Sequence, residues 1–198
     1  MMSRYRNVAV VGLVAGVLLA SSGCSRQDTS SGPTSSPTAT SSVASPKNVS
    51  EWTADMLAQA FTAIDAKIGA HPADYIRVTI NEFSVLVQAI DPSKPANVDQ
   101  YTYTGGKVGV APVNTSGSEP GAIEMSRFSS DTVDPAVLEQ VIKSAVMDSG
   151  VENGRIVAVV DEKFFADQPE PKIQVTVLGP RGTKSVEYDV AGRLLKVT

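Results

Sequence analysis

The apolar residues of this chain change period twice, in the same order each time. Trp52, Met56, Leu57, Phe61, Ile64 and Ile68 recur at three- and four-residue steps, a spacing that lays one stripe along a helix. From Ile76 the spacing drops to two, and the next 40 or so residues read as short strands separated by turn residues. The helical period returns with Leu138, Val141, Ile142, Ala145 and Val146, and alternation resumes after Arg155. A striped helix and a half-apolar strand each need a second layer to bury against, and a helix lying on an antiparallel meander satisfies both. The pattern predicts an α+β fold of two similar units, each one helix packed on an antiparallel sheet of about four strands.

The first unit covers residues 50–113. Ser50 is a good N-cap for its helix and Gly69 is placed to end it. Ile76, Val78 and Ile80 then alternate with Arg77, Thr79 and Asn81, and Asn81-Glu82 marks a turn. Val85 to Ile90 makes a second strand, Tyr101 and Tyr103 mark a third, and Gly105-Gly106 turns the chain into a fourth from Lys107 to Val113. Residues 114–133 form a Ser-, Gly- and Pro-rich connector whose Ile123, Met125 and Phe128 suit a core edge or a short extra strand. The second unit covers 134–198. Asp134 followed by Pro135 opens its helix, Gly150 lies just past the end, and strands are predicted from Arg155, Ile173, Val186 and Leu194.

The two units can be laid side by side. VLVQAIDP (85–92) matches IQVTVLGP (173–180), closing on Pro92 and Pro180, and a second alignment sets Tyr103 against Tyr188 and Lys107 against Arg193. Duplication and convergence of two amphipathic patterns both produce such a match. The ending YDVAGRLLKV (188–197) resembles the closing hairpin of PepSY domains, over about the last 60 residues and, in the other copy, residues 51–113. The first copy departs from it with YTGGKVGV. With its amino end, the chain resembles a tandem PepSY-like or cystatin-like lipoprotein of an actinobacterium. That resemblance implies binding or modulation of another envelope protein, without catalysis.

The amino end reads MMSRYRNVAVVGLVAGVLLASSGC. Arg4 and Arg6 precede an uncharged run from Val8 to Ala20, and small residues lead to Cys24, the one cysteine. This is the layout of a secretory signal. The run is 13 residues, shorter than the roughly 20 that a spanning helix needs. The segment resembles the lipobox of bacterial lipoproteins, which implies cleavage of residues 1–23 and a diacylglycerol thioether on Cys24. Ser21 stands where that family most often has Leu. A chain with one cysteine cannot close an internal disulfide, and a free thiol suits an oxidising compartment poorly. Residues 24–49, dominated by Ser, Thr and Pro, bury too little apolar surface to offset ordering and read as a disordered spacer; such tails also resemble O-glycosylation substrates. The expected location is the extracytoplasmic face of the cell membrane, held there by the lipid.

Charge and chemistry narrow the function classes. Loss of Arg4 and Arg6 would move the formal charge from −4 to −6, and no basic block remains to track phosphates, so no nucleic-acid partner is expected. No GxSxG, GxxxxGK[ST] or GxGxxG stands in a suitable context. His71 is the only histidine and falls in a loop, so no catalytic residue set, metal or cofactor is expected. Asp161, Glu162 and Glu170 are the nearest approach to a carboxylate cluster, read as solvated charges of a loop. Trp52, Phe61 and Phe83 read as core. Phe164 and Phe165, adjacent in a loop, are candidate contacts for a ligand or partner, because both cannot easily point inward. The expected function is a lipid-anchored, non-enzymatic module that docks an envelope protein. The alternative is a lipid or glycolipid carrier with an apolar cavity.

Overall fold

The computed structural model describes residues 46–118, 121–163 and 168–198. The signal segment, Cys24, and Phe164 and Phe165 lie outside the described residues. The elements in order are α1 (Ala54–Ile68), β1 (Asp74–Ile80), β2 (Val85–Ile90), β3 (Val98–Thr104), β4 (Lys107–Pro112), α2 (Ala122–Ser126), β5 (Phe128–Ser129), α3 (Pro135–Ser149), β6 (Arg155–Glu162), β7 (Lys172–Gly179), β8 (Gly182–Tyr188) and β9 (Leu194–Val197). Short 3-10 turns cover Val49–Glu51 and Ser130–Thr132.

All nine strands belong to one antiparallel sheet, in the order β4-β3-β2-β1-β6-β7-β8-β9, with β5 paired to β1. Each half is a helix followed by a four-stranded meander. The halves join where their first strands pair antiparallel, from Arg77 opposite Glu162 to Ile80 opposite Val159. Both helices lie on the same side of the sheet, α1 on the first half and α3 on the second, and they touch each other.

Burial repeats between the halves. In α1 the buried positions are Leu57, Ala60, Phe61, Ile64 and Ile68; in α3 they are Leu138, Val141, Ile142, Ala145 and Ser149. Each member of the second set stands 81 residues after its counterpart. The same offset relates the bulges of the first strands, between Tyr75 and Arg77 in β1 and between Ile156 and Ala158 in β6. A bulge puts an extra residue on one strand and re-aims the side chains before it. Tyr75 and Ile156 therefore enter the core, while Ile76, expected there from simple alternation, is only half-buried. Cross-strand register also agrees with the sequence alignment: Tyr103 pairs with Val85 and Tyr188 with Ile173, and the residues after Lys107 and Arg193 face those tyrosines.

The amino-terminal start of the fold differs from the sequence expectation. Thr53, not Ser50, caps α1, its hydroxyl accepting from the Met56 N–H at 3.3 Å. Trp52 stands before the helix, buried, and its indole N–H donates to the Asn81 carbonyl at 2.8 Å. The 3-10 turn of Val49–Glu51, held by the Asn48 side chain on Glu51, places Val49 and Trp52 in the core outside any helical stripe. Phe83, expected in the core, is 56% exposed. It sits in a tight turn where the Asn81 side chain accepts from the N–H groups of Phe83 and Ser84. At the other end of the core, Gly179 faces Val151; a Cβ on Gly179 would overlap the valine methyl, so a larger residue there forces the valine to move.

Candidate functional site

Three polar arrangements and one apolar edge stand out from this frame. The first joins the carboxyl-terminal turn of α1 to the loop that follows. Asp65 accepts from the Tyr75 hydroxyl through Oδ1 at 2.6 Å and meets His71 Nδ1 through Oδ2 at 3.0 Å. An ionised carboxylate only accepts, so Nδ1 donates in this contact. The other ring nitrogen, Nε2, lies 3.7 Å from Asp131 Oδ1. Tyr75 is fixed by burial and by an edge-on contact with Phe128, ring centres 6.2 Å apart. Burial, with the Asp65 carboxylate second, pushes its hydroxyl far above the usual phenol range. His71 is thus an oriented imidazole, not an isolated surface residue. The sequence hid this because the partners come from the helix, the first strand and the connector.

The second arrangement corrects the reading of Asp161 and Glu162 as loop charges. Both lie in β6, and they point to opposite faces. Glu162 meets Arg77 at 3.3 Å across the seam between the halves; burial raises its carboxyl and Arg77 works against that. Asp161 points toward the helices, 2% exposed, between Val78 and Ile173 on the neighbouring strands. Its Oδ1 has no hydrogen-bond partner. Burial, with Glu162 second, pushes the carboxyl up to about 7. The corresponding residue of the first half is Ile80, fully buried.

Third, Tyr188 donates to Asp148 at 2.7 Å, with Ser144 at 3.4 Å, so strand β8 is tied to α3. Burial is the main cause that raises this hydroxyl to about 12. Near the same end, the turn after α3 and the β7–β8 hairpin border a cleft of about 620 Å³. Glu152, Arg181 and Lys184 line it together with Val151 and backbone, a mixed surface rather than an apolar chamber.

The apolar edge is β9. All four residues are exposed, including Leu194 and Leu195 at 49% and Val197 at 37%. One side of the strand pairs with β8 and, among the described residues, the other has no strand beside it. The opposite edge, β4, contains Gly109 and Pro112 and begins at Lys107, features that blunt an edge against further pairing. β9 has neither glycine nor proline and a single charge, Lys196.

No family model matches the chain, and no curated protein matches it. Among solved structures, it is similar to a protein of Clostridium difficile 630 described as a "putative lipoprotein", with a TM-score of 0.52 at 14% identity. The match covers 77% of this chain and 98% of the other. At that identity the likeness is one of fold. Among the described residues, no helix is long and apolar enough to cross a membrane.

Proposed function

We propose that this protein is a lipid-anchored, extracytoplasmic docking module, non-enzymatic, which holds a protein of the cell envelope through the β9 edge. The observation that carries the reading is the edge itself. Leu194, Leu195 and Val197 expose apolar side chains on a strand whose outer backbone groups have, among the described residues, no strand beside them. Adding a strand satisfies those groups and gives alternate side chains pockets to fill. The amino end, resembling a lipobox at Cys24, supplies the tether, and residues 24–49 the reach. A fold neighbour described as a "putative lipoprotein" is consistent with that placement. The layer between helices and sheet is filled by Leu57, Ile64, Val78, Val87, Leu138 and Val175, each 0–1% exposed. That favours protein docking over lipid carriage, which needs an open apolar chamber. The test is a photo-crosslinking residue placed at position 195 or, as a control, at Gln174 in the middle of the sheet. One discrete envelope-protein adduct from position 195, lost on adding Leu194→Lys, is expected. Equal adducts from both positions refute the assignment to β9.

A further inference from the structure

We propose that the partner segment docked at β9 is an antiparallel strand with an acidic residue opposite Lys196 and apolar residues on either side of it. This rests on strand docking at β9, and it gives Lys196 a second effect, that of keeping β9 from pairing with another copy of this chain. The hydrogen-bond phase of the edge fixes the register. Ser185 and Thr198 exchange both backbone bonds, at 2.8 and 2.9 Å. Opposed residues in an antiparallel ladder alternate between pairs that exchange bonds and pairs that do not. Val197, opposite Val186, is of the second kind, so its N–H and carbonyl point to the open side. An added strand makes a bonded pair at Val197. Its next residue stands opposite Lys196 in a non-bonded pair, the kind in which side chains approach most closely.

The side chains then set the chemistry. Val186 and Tyr188 are buried toward the helices, Tyr188 being bonded to Asp148 of α3. Val197 therefore faces the helix side, and Lys196, opposite Glu187, faces the other side of the sheet. Lys196 is exposed, and among the described residues it makes no ion pair, with Glu187 or any other group. Opposite charges directly across a strand pair stabilise it and like charges destabilise it. An acidic residue at the facing position completes Lys196, while apolar neighbours cover Leu195 and Val197. A second copy meets the reverse. The phase of Val197 allows one antiparallel register that overlaps Leu194–Thr198 in full, and that register is centred on Lys196, lysine against lysine. Lysine on an edge strand is a common guard against such pairing. Here it leaves the apolar edge open to a strand of complementary charge.

Variants of the chain itself supply the probes, all full-length with Cys24→Ser. Amide hydrogen exchange of Val197 reads strand addition, because that N–H points to the open side. The Thr198 amide, bonded to Ser185, reports that β9 stays on β8. The labelled Lys196 chain is mixed with unlabelled Lys196→Glu, which carries the acid at the facing position, and each is also measured alone. The mixture should protect Val197 at about tenfold lower concentration than either chain alone. If Lys196→Glu loses Thr198 protection, Glu187→Lys is added to restore the cross-strand pair. Lys196→Thr, without the like charges, should pair with itself more tightly than the Lys196 chain does. If Lys196→Thr protects Val197 but the mixture is no tighter than the Lys196 chain alone, the acidic preference is overturned and strand docking at β9 stands. If no chain and no mixture protects Val197 at the highest concentration reached, both are overturned.

Discussion

Asp161→Asn isolates the most exceptional electrostatic feature of the fold. A carboxyl at 3.8 in the unfolded chain and about 7 in the fold corresponds to about 4 kcal/mol, at 1.36 kcal/mol per pH unit. The sign follows from proton uptake. Between these values the native state holds a proton that the unfolded state has released, so stability is fully present below about pH 4. It falls as pH rises and reaches its lower plateau above pH 7. Four kcal/mol is a large part of the 5–15 kcal/mol typical of a domain. Asparagine keeps the shape and cannot ionise. Urea unfolding of wild type and variant at several pH values from 4 to 8 separates this group from all other carboxyls. The variant should gain about 4 kcal/mol on wild type across that range. Asp161→Ile, which copies Ile80, should show the same flattened profile and a higher midpoint at pH 8. A wild-type-minus-variant difference that stays constant with pH would falsify the buried-carboxyl reasoning, as would a carboxyl ¹³C titration of Asp161 near 4.

Three further outcomes follow from particular contacts. Trp52→Phe keeps the buried ring but strands the Asn81 carbonyl, which should cost about 1–3 kcal/mol in denaturant unfolding; an unchanged midpoint would mean that bond contributes nothing. Gly179→Ala forces a methyl onto Val151 and should destabilise by about 1–3 kcal/mol. Pairing it with Val151→Ala should recover part of the loss, and additive losses would contradict the contact. Cys24→Ser, in the native host, should leave the protein unprocessed or released from membranes with its circular-dichroism spectrum unchanged; normal processing and membrane retention would remove the anchor from the account.

Much of the architecture was legible from local chemistry. The three- and four-residue steps of Leu57, Phe61 and Ile64 and of Leu138, Val141 and Ile142 specify a helix face whatever packs on it. The Asp134-Pro135 start, the Gly69 and Gly150 stops and the Gly105-Gly106 hairpin act within a few residues, so a sequence displays them directly. The alignment of Tyr103 with Tyr188 was visible for the same reason, and register agrees with it. Trp52 was misplaced because its periodicity suits a helix while the Thr53 cap and the indole bond to Asn81 decide otherwise.

The sequence by itself determined the two helix-plus-meander halves, because period and turn residues operate over one or two turns of chain. Only the tertiary structure decided how the halves meet. Four strands offer two edges, and nothing local chooses β1 and β6 over β4 and β9 as the seam. That choice turned Asp161 from a loop charge into a buried carboxyl beside Val78, and left β9 as the open edge. It was tertiary folding, too, that gathered Asp65, Tyr75, His71 and Asp131 from four separate pieces of chain, since contacts made across such separations depend on the whole core closing.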